Sequence, residues 1–342
     1  MKQPRGLGKS QNTKGLARMI KNNKSFNILM CSRPGGDRGP GLTYGHHVDA
    51  LNRDKYNRFY VNELWNLSNE NEINNYDVFW FYAKGFDTRI YDFLKSKFPY
   101  KKFMFGPNIL LDKPDVGAAD KWDEWFLSKV EFDLYIDQVE FYNNHVKKFI
   151  RKDLVHKADY LDKCVTFDID PSIIENKDIK YDCLVYSKKR RYDDNYEHFH
   201  DGLVGLLKEN NISFVELTYG NYKRQEYFDA LLQSKCCINM SLDECPGIAT
   251  YESMFMNTPI IGSPHNTPSI FNQDFWVHDT DYMTSKYLKR KEDAHNKYYE
   301  KIVSFLNGGI EMPVSPREYI LKHAGYERYA NDAYELMLKY CT

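Results

Sequence analysis

Between Ser241 and Gly262 the chain reads SLDECPGIATYESMFMNTPIIG, with two carboxylates, Glu244 and Glu252, eight residues apart around Gly247. The apolar run before it, residues 236–240, predicts a strand. Pro246 and Gly247 lie where a chain turns into a helix, and residues 248–256 suit one. Asn257, Thr258 and Pro259 stop that helix, and residues 260–262 begin another buried strand. A helix N-terminus leaves backbone N–H groups, here those of Ile248 and Ala249, without intrahelical acceptors, so they can hold an anion. One carboxylate falls just before that anion site and the other one turn inside the helix. The arrangement suits a ligand with a diphosphate at its centre and hydroxyl-rich groups on both sides, such as a nucleotide sugar.

A second cluster is basic. Lys188, Lys189, Arg190 and Arg191 follow an apolar run, residues 181–186, that predicts a strand. They therefore sit at the carboxyl end of that strand, where open α/β sheets bind ligands. Fixed cations there would stabilise charge building on a departing diphosphate, and arginine offers phosphate a bidentate fork. A solvated charge run is the alternative. Tyr219, Gly220 and Tyr222 follow a further expected strand, 212–217, where an aromatic ring could stack on a base or simply pack. Nearer the start, residues 26–31 predict a strand that runs into the glycine-rich stretch from Ser32 to Gly41, with a helix expected over 44–51. Strand, glycine loop and helix is how α/β folds place a ligand, although the spacing is neither G-x-G-x-x-G nor a Walker sequence. Of ten histidines, only His46 and His47 adjoin a candidate site loop.

The segment 241–262 resembles the E-x7-E signature of retaining GT-B glycosyltransferases, especially the large group 1 family. The usual form is S-x-x-E-G-F-G-x-x-x-x-E-A-M, followed by G-x-P-V-I-G/A. Ser241, Glu244, Gly247, Glu252, Met254, Thr258, Pro259 and Gly262 match; Cys245 and Pro246 replace Gly-Phe, and Ser253 replaces Ala. The resemblance covers about residues 180–265 and is thin over the N-terminal half. It implies an α/β GT-B fold, two Rossmann-like domains with parallel sheets facing across a cleft. It implies transfer of a sugar from a UDP- or GDP-sugar to a glycan or lipid-linked glycan with retention of anomeric configuration, using no cofactor and no metal. Glu252 would then accept hydrogen bonds from the ribose hydroxyls, and Glu244 would face the donor sugar. The amides after Gly247 would hold the phosphates, and Lys188, Lys189 and Arg190 would neutralise the leaving group. The glycine loop ending at Gly41 would lie near the donor phosphates and the acceptor. In a retaining reaction the leaving phosphate itself can take the acceptor proton, so no protein base is required; His46 is carried as a further catalytic candidate.

The elements around these residues alternate. Strands are expected at 76–83, 102–105, 134–136 and 164–166, and helices at 86–97, 196–209 and 224–233. Such alternation implies parallel sheets with helices on both faces. The polar, proline-bearing stretch 168–178 marks a boundary, giving domains over 25–167 and 168–324. A helical tail is expected over 316–340, with its last part, 325–342, returning to the first domain as the resembled family does.

Composition agrees with two ordinary domains: 342 residues, 42% hydrophobic, with a net charge of −1 that gives no global attraction to nucleic acid. No apolar run approaches membrane-spanning length and no signal-peptide pattern opens the chain, so a cytoplasmic protein is expected. The seven cysteines form no Cys-x-x-Cys pair, so buried reduced thiols are expected rather than a zinc site or a disulfide framework. Asp168-Ile169-Asp170 spells a metal motif but falls in the expected linker. Residues 1–24 carry seven Lys and Arg and no acid. They form either a solvated tail or a contact with an anionic surface, peripheral membrane or nucleic acid. The rival functions are a nucleic-acid-modifying glycosyltransferase, a nucleotide-sugar epimerase and a non-catalytic sugar- or nucleotide-binding protein.

Overall fold

The computed structural model describes residues 24–32, 40–82, 87–107, 130–138, 147, 150–165, 171–175, 177–189, 193–242, 247–263, 273–284, 287–312 and 315–342. The first half contains β1 (Phe26–Met30), α1 (Pro40–Asn52), β2 (Phe59–Glu63), β3 (Val78–Phe81), α2 (Thr88–Lys97), β4 (Lys102–Phe105), β5 (Leu134–Asp137) and β6 (Ala158–Tyr160). Its six strands form one parallel sheet in the order β2-β1-β3-β4-β5-β6. After a short helix, α3 (Pro171–Glu175), come β7 (Tyr181–Ser187), α4 (Tyr196–Glu209), β8 (Phe214–Thr218), α5 (Arg224–Leu232), β9 (Ser234–Asn239), α6 (Ile248–Phe255) and β10 (Ile260–Gly262). These strands form a second parallel sheet in the order β10-β9-β7-β8. An antiparallel ribbon, β11 (Thr280–Thr284) and β12 (Tyr287–Arg290), leads to α7 (Ala294–Leu306), α8 (Pro316–Ala324) and α9 (Tyr326–Tyr340).

Each sheet is buried on both faces, and the period-two alternation of its strands divides the side chains between two cores. Phe26, Ile28, Met30, Val78, Trp80 and Tyr82 line one face of the first sheet, while Leu29, Cys31, Phe79 and Phe81 line the other. In the second sheet Leu184, Tyr186 and Cys237 face α5, α6 and α8, and Cys183, Val185 and Ile238 face α4 and α7. Helix α9 belongs to the first of these cores. Its stripe Tyr329, Ala330, Ala333, Tyr334 and Met337 packs with Phe26, Ile28, Ala50 and Leu51, and the Tyr334 hydroxyl donates to the Lys24 carbonyl at 3.0 Å. Six described cysteines, Cys31, Cys164, Cys183, Cys236, Cys237 and Cys341, are buried free thiols.

Several sequence expectations need correction. Residues 164–165 are buried but form no strand; the Val165 N–H donates to the Ala324 carbonyl at 2.9 Å instead of joining a ladder. The last strand of the first sheet is β6, and β2 lies where the sequence pattern predicts no strand. The tail is two helices rather than one. Gly325 is extended (φ −67°, ψ 156°), and a Cβ there would meet the Leu321 carbonyl oxygen at 2.6 Å. Helix α1 begins at Pro40, so Gly41 lies in its first turn and not in the preceding loop. The tail 1–23, most of the glycine loop and residues 166–170 at the expected domain boundary lie outside the described residues.

Candidate functional site

The carboxyl edge of the second sheet gathers several of the candidates. Gly247 caps α6 in an extended conformation (φ −59°, ψ 152°), leaving the first amides of the helix, those of Ile248 and Ala249, at that edge. Asn239, at the end of β9, ties the helix to the loop before it. Its amide donates to Thr250 Oγ1 at 3.3 Å, and its Oδ1 accepts the Ser241 N–H at 3.0 Å. One turn in, Glu252 is buried, and its Oε1 accepts from Arg224 Nη2 at 2.6 Å. Arg224 opens α5 and is itself half-exposed. Burial pushes the Glu252 carboxyl up to about 7, with the Arg224 charge and hydrogen bond pulling the other way.

Arg224 also reaches the other half of the molecule electrostatically. His46, buried on α1, is pushed down to about 4, first by burial and then by the positive charges of Arg224 and Lys163. Lys163 is buried in the segment after β6, with Nζ 5.8 Å from the centroid of the Tyr251 ring on α6. The neighbouring Cys164 thiol points to the His46 carbonyl at 3.5 Å. One cation, Arg224, thus lies close enough to act on both Glu252 and His46. His46 is therefore neutral near pH 7, with one ring nitrogen a donor and the other an acceptor, and is not charged to serve as a general acid. His47 belongs to the core: Nδ1 lies 3.2 Å from the Tyr82 hydroxyl, the ring stacks on Tyr329 at 4.4 Å, and burial holds its pKa well below the usual value.

The basic cluster divides. Lys188 is buried, with Nζ 4.0 Å above the centroid of the Tyr219 ring, a contact between a cation and an aromatic face. Tyr219 is 42% exposed, which leaves ring surface for a ligand. Gly220 supplies the turn after it with φ +91°. The Tyr222 hydroxyl donates to that of Tyr186 at 3.3 Å. Lys189 is half-exposed and ion-paired with Glu197. Arg190 and Glu244 lie outside the described residues.

Three contributors escaped the sequence reading: Arg224, Lys163 and Arg290. Arg224 follows the turn Tyr219–Tyr222 at the carboxyl end of β8, so the rule that singled out Lys188–Arg191 could have found it. Lys163 carries no signal of spacing or pattern. Arg290 is fully buried and salt-bridged to Asp193 at 2.7 Å and Asp279 at 2.9 Å; it also donates to the Met240 carbonyl at 2.9 Å and lies over the Phe199 ring. It thereby ties the residue just past the basic cluster to the residue just before Ser241. Among the described residues no group of three or more His, Cys, Asp or Glu is placed to hold a metal ion, and no helix is long and apolar enough to cross a membrane.

No protein-family model matches the chain, and no curated protein sequence matches it at a significant level. Solved structures do. HepE of Anabaena, in complex with UDP-glucose, aligns over 92% of this chain and 100% of its own with a TM-score of 0.57 at 9% identity. The lipopolysaccharide outer core galactosyltransferase WaaB, in its apo form, aligns over 92% and 99% with a TM-score of 0.55, also at 9% identity. The match to TarM covers 76% of this chain but spans only 54% of that one, with a TM-score of 0.49 at 13% identity, and carries no argument. At these identities the likeness speaks for architecture alone: the chain has the GT-B fold, two α/β domains each built on a parallel sheet.

Proposed function

We propose that the chain is a metal-independent, retaining glycosyltransferase that moves a sugar from a UDP- or GDP-sugar to a glycan or lipid-linked glycan. The observation that carries this reading is Glu252. It is a buried carboxylate beside Arg224, one turn inside a helix whose first amides open at the carboxyl edge of the second sheet. A carboxylate there can accept both ribose hydroxyls while the amides of Ile248 and Ala249 hold the diphosphate. Tyr219 would stack on the base. Residues 168–324 would form the donor side, and residues 25–167 with α9 the acceptor side.

In this reading the acceptor hydroxyl attacks the anomeric carbon from the face the diphosphate leaves. The bond from the anomeric carbon to the phosphate oxygen breaks, a bond to the acceptor oxygen forms, and the acceptor proton passes to the departing phosphate. Lys188, Lys189 and Arg190, with the α6 amides, stabilise the charge on the leaving nucleotide. Glu244 faces the donor sugar, and neutral His46 positions the acceptor by hydrogen bonding. The protein acts in the cytoplasm, with the basic tail contacting an anionic surface.

A panel of UDP- and GDP-sugars tests the reading, scored by thermal shift and by release of the nucleoside diphosphate with and without EDTA. A true donor at a hundred times its Kd adds about 2.7 kcal/mol of stability. No stabilisation by any member overturns the proposal. Loss of turnover on chelation, restored by manganese, removes the metal-independent part. A β-linked product from an α-linked donor, read by proton NMR of the anomeric centre, removes retention.

A further inference from the structure

Another cluster stands at the edge of the first sheet, among residues given no role above. Strand β2 is an edge strand, parallel to β1 and with Glu63 opposite Met30, so its carboxyl end opens on the side where the chain runs from β1 toward α1. Two residues beyond that end is Trp65, 45% exposed. Its indole N–H donates to Glu63 Oε2 at 3.0 Å. The same carboxylate accepts the Tyr44 hydroxyl on Oε1 at 2.8 Å and the Asn66 amide on Oε2 at 3.3 Å. A large ring is therefore held in place with its one polar atom already used, and what it offers a ligand is a flat π face. Beside the ring stand a carboxylate, which takes the indole N–H, and a side-chain amide bonded to the same oxygen.

A pyranose ring is the ligand chemistry that complements both parts. Its axial C–H bonds make an apolar face with slightly positive hydrogens, which the negative face of an indole attracts. Its edge is a ring of hydroxyls, which can donate to the remaining acceptor site on Glu63 Oε1 and exchange hydrogen bonds with Asn66. A purely apolar partner would leave the carboxylate to be desolvated without compensation. Because the indole is already pinned, little side-chain freedom is lost on binding. The anchor Tyr44 lies on α1 two residues before His46, about 3 Å along the helix axis. The platform is thus tied to the same helix that carries His46 toward Arg224.

We propose that Trp65, flanked by Glu63 and Asn66, is a sugar-stacking subsite for one residue of the acceptor glycan; the word acceptor rests on the function proposed above, the sugar chemistry does not. Saturation-transfer NMR on the full chain tests it with maltopentaose, cellopentaose and chitopentaose as probes, and UDP-glucose and GDP-mannose in parallel. At least one oligosaccharide should show saturation strongest at the axial ring protons of one residue. Trp65→Ala should abolish that signal, and Trp65→Phe, which keeps an aromatic face and preserves the fold if alanine does not, should weaken binding by about tenfold. Nucleotide-sugar signals should be the same in all three proteins. Absence of binding by all three oligosaccharides, or equal binding by wild type and both variants, overturns the subsite. Binding that depends on Trp65 in a protein that ignores both nucleotide sugars would keep the subsite and overturn the transferase reading.

Discussion

Burial makes the ionised form of Glu252 more costly in the folded protein than in the unfolded chain. Its folded pKa of about 7 lies above the ordinary 4.5, so the folded state binds the proton more tightly than the unfolded chain. Stability therefore falls as pH rises from about 4.5 to about 7, and the full deficit, roughly 3 kcal/mol, is present above that. Glu252→Gln should accordingly raise the melting temperature at pH 8 and flatten this slope. It should also weaken donor binding by roughly 1.5–3 kcal/mol, since a charged hydrogen bond to the ribose is lost. Calorimetry of unfolding and of donor binding reads the two effects, and equal donor affinity in a folded variant would remove Glu252 from the site. Burial raises the pKa of this carboxyl, and Arg224 holds the rise back. Donor binding should strengthen through pH 6–8 in the wild type, and in Arg224→Gln that rise should move to higher pH, with Arg224→Lys partly restoring it. An unshifted profile would leave Arg224 as a surface ion pair. At this scale the helix entry at Gly247 was legible, because it sits inside a spaced motif. The place of Arg224 past the carboxyl end of β8 was readable, but its pairing with Glu252 was not, because the two stand 28 positions apart and only the folding of α5 against α6 brings them together.

The inner strands could be read because burial on both faces makes them short continuous apolar runs, as in Val78–Phe81 and in Phe103, Met104 and Phe105 of β4. Strand β2 could not, since Phe59 points in, Tyr60 points out, and Asn62 and Glu63 give its end the look of a loop. The break between α8 and α9 was hidden because a lone glycine in a helical pattern is often tolerated. Another glycine bounds what these elements accept. Gly106, just past β4, has φ +92°, and a Cβ there would fall 1.9 Å from the Ile136 carbonyl oxygen. Gly106→Ala should destabilise by well over the roughly 1–2 kcal/mol that the backbone conformation alone costs. Gly45 lies within α1 with nothing within 4 Å of a built Cβ, and Gly45→Ala should stabilise by roughly 0.5–1 kcal/mol. Thermal melts of the pair check the contrast, and equal shifts would refute it.

The two halves of the molecule are joined twice, once between β6 and α3 and once between α8 and α9. The two crossings are laced together: Val165 N–H donates to the Ala324 carbonyl, and Arg328 donates to the carbonyls of Asp162 and Lys163 at 2.8 and 2.9 Å. The parallel α/β plan was legible at this scale because a repeated strand and helix alternation survives errors in single elements, whereas its GT-B form was implied only by the resemblance of residues 241–262. None of the residues assigned to the donor site lies in the basic tail. Deleting residues 1–23 should therefore leave donor binding unchanged while abolishing salt-sensitive association with anionic vesicles. Sedimentation with vesicles at low and high salt reads this, and equal association by both proteins would show that the tail takes no part.

Helix α9 fills the core of the first sheet from the far end of the chain, and this has a consequence for synthesis. When a ribosome has completed β6, the groove that will hold Tyr329, Ala333, Tyr334 and Met337 is lined but empty. The whole second domain must be made before residues 326–340 appear. At ordinary elongation rates of about 5–20 residues per second, that interval is roughly ten to thirty seconds. For that time Phe26, Ile28, Ala50 and Leu51 lack their native cover, so the nascent N-terminal half is the part of this protein that a chaperone would meet.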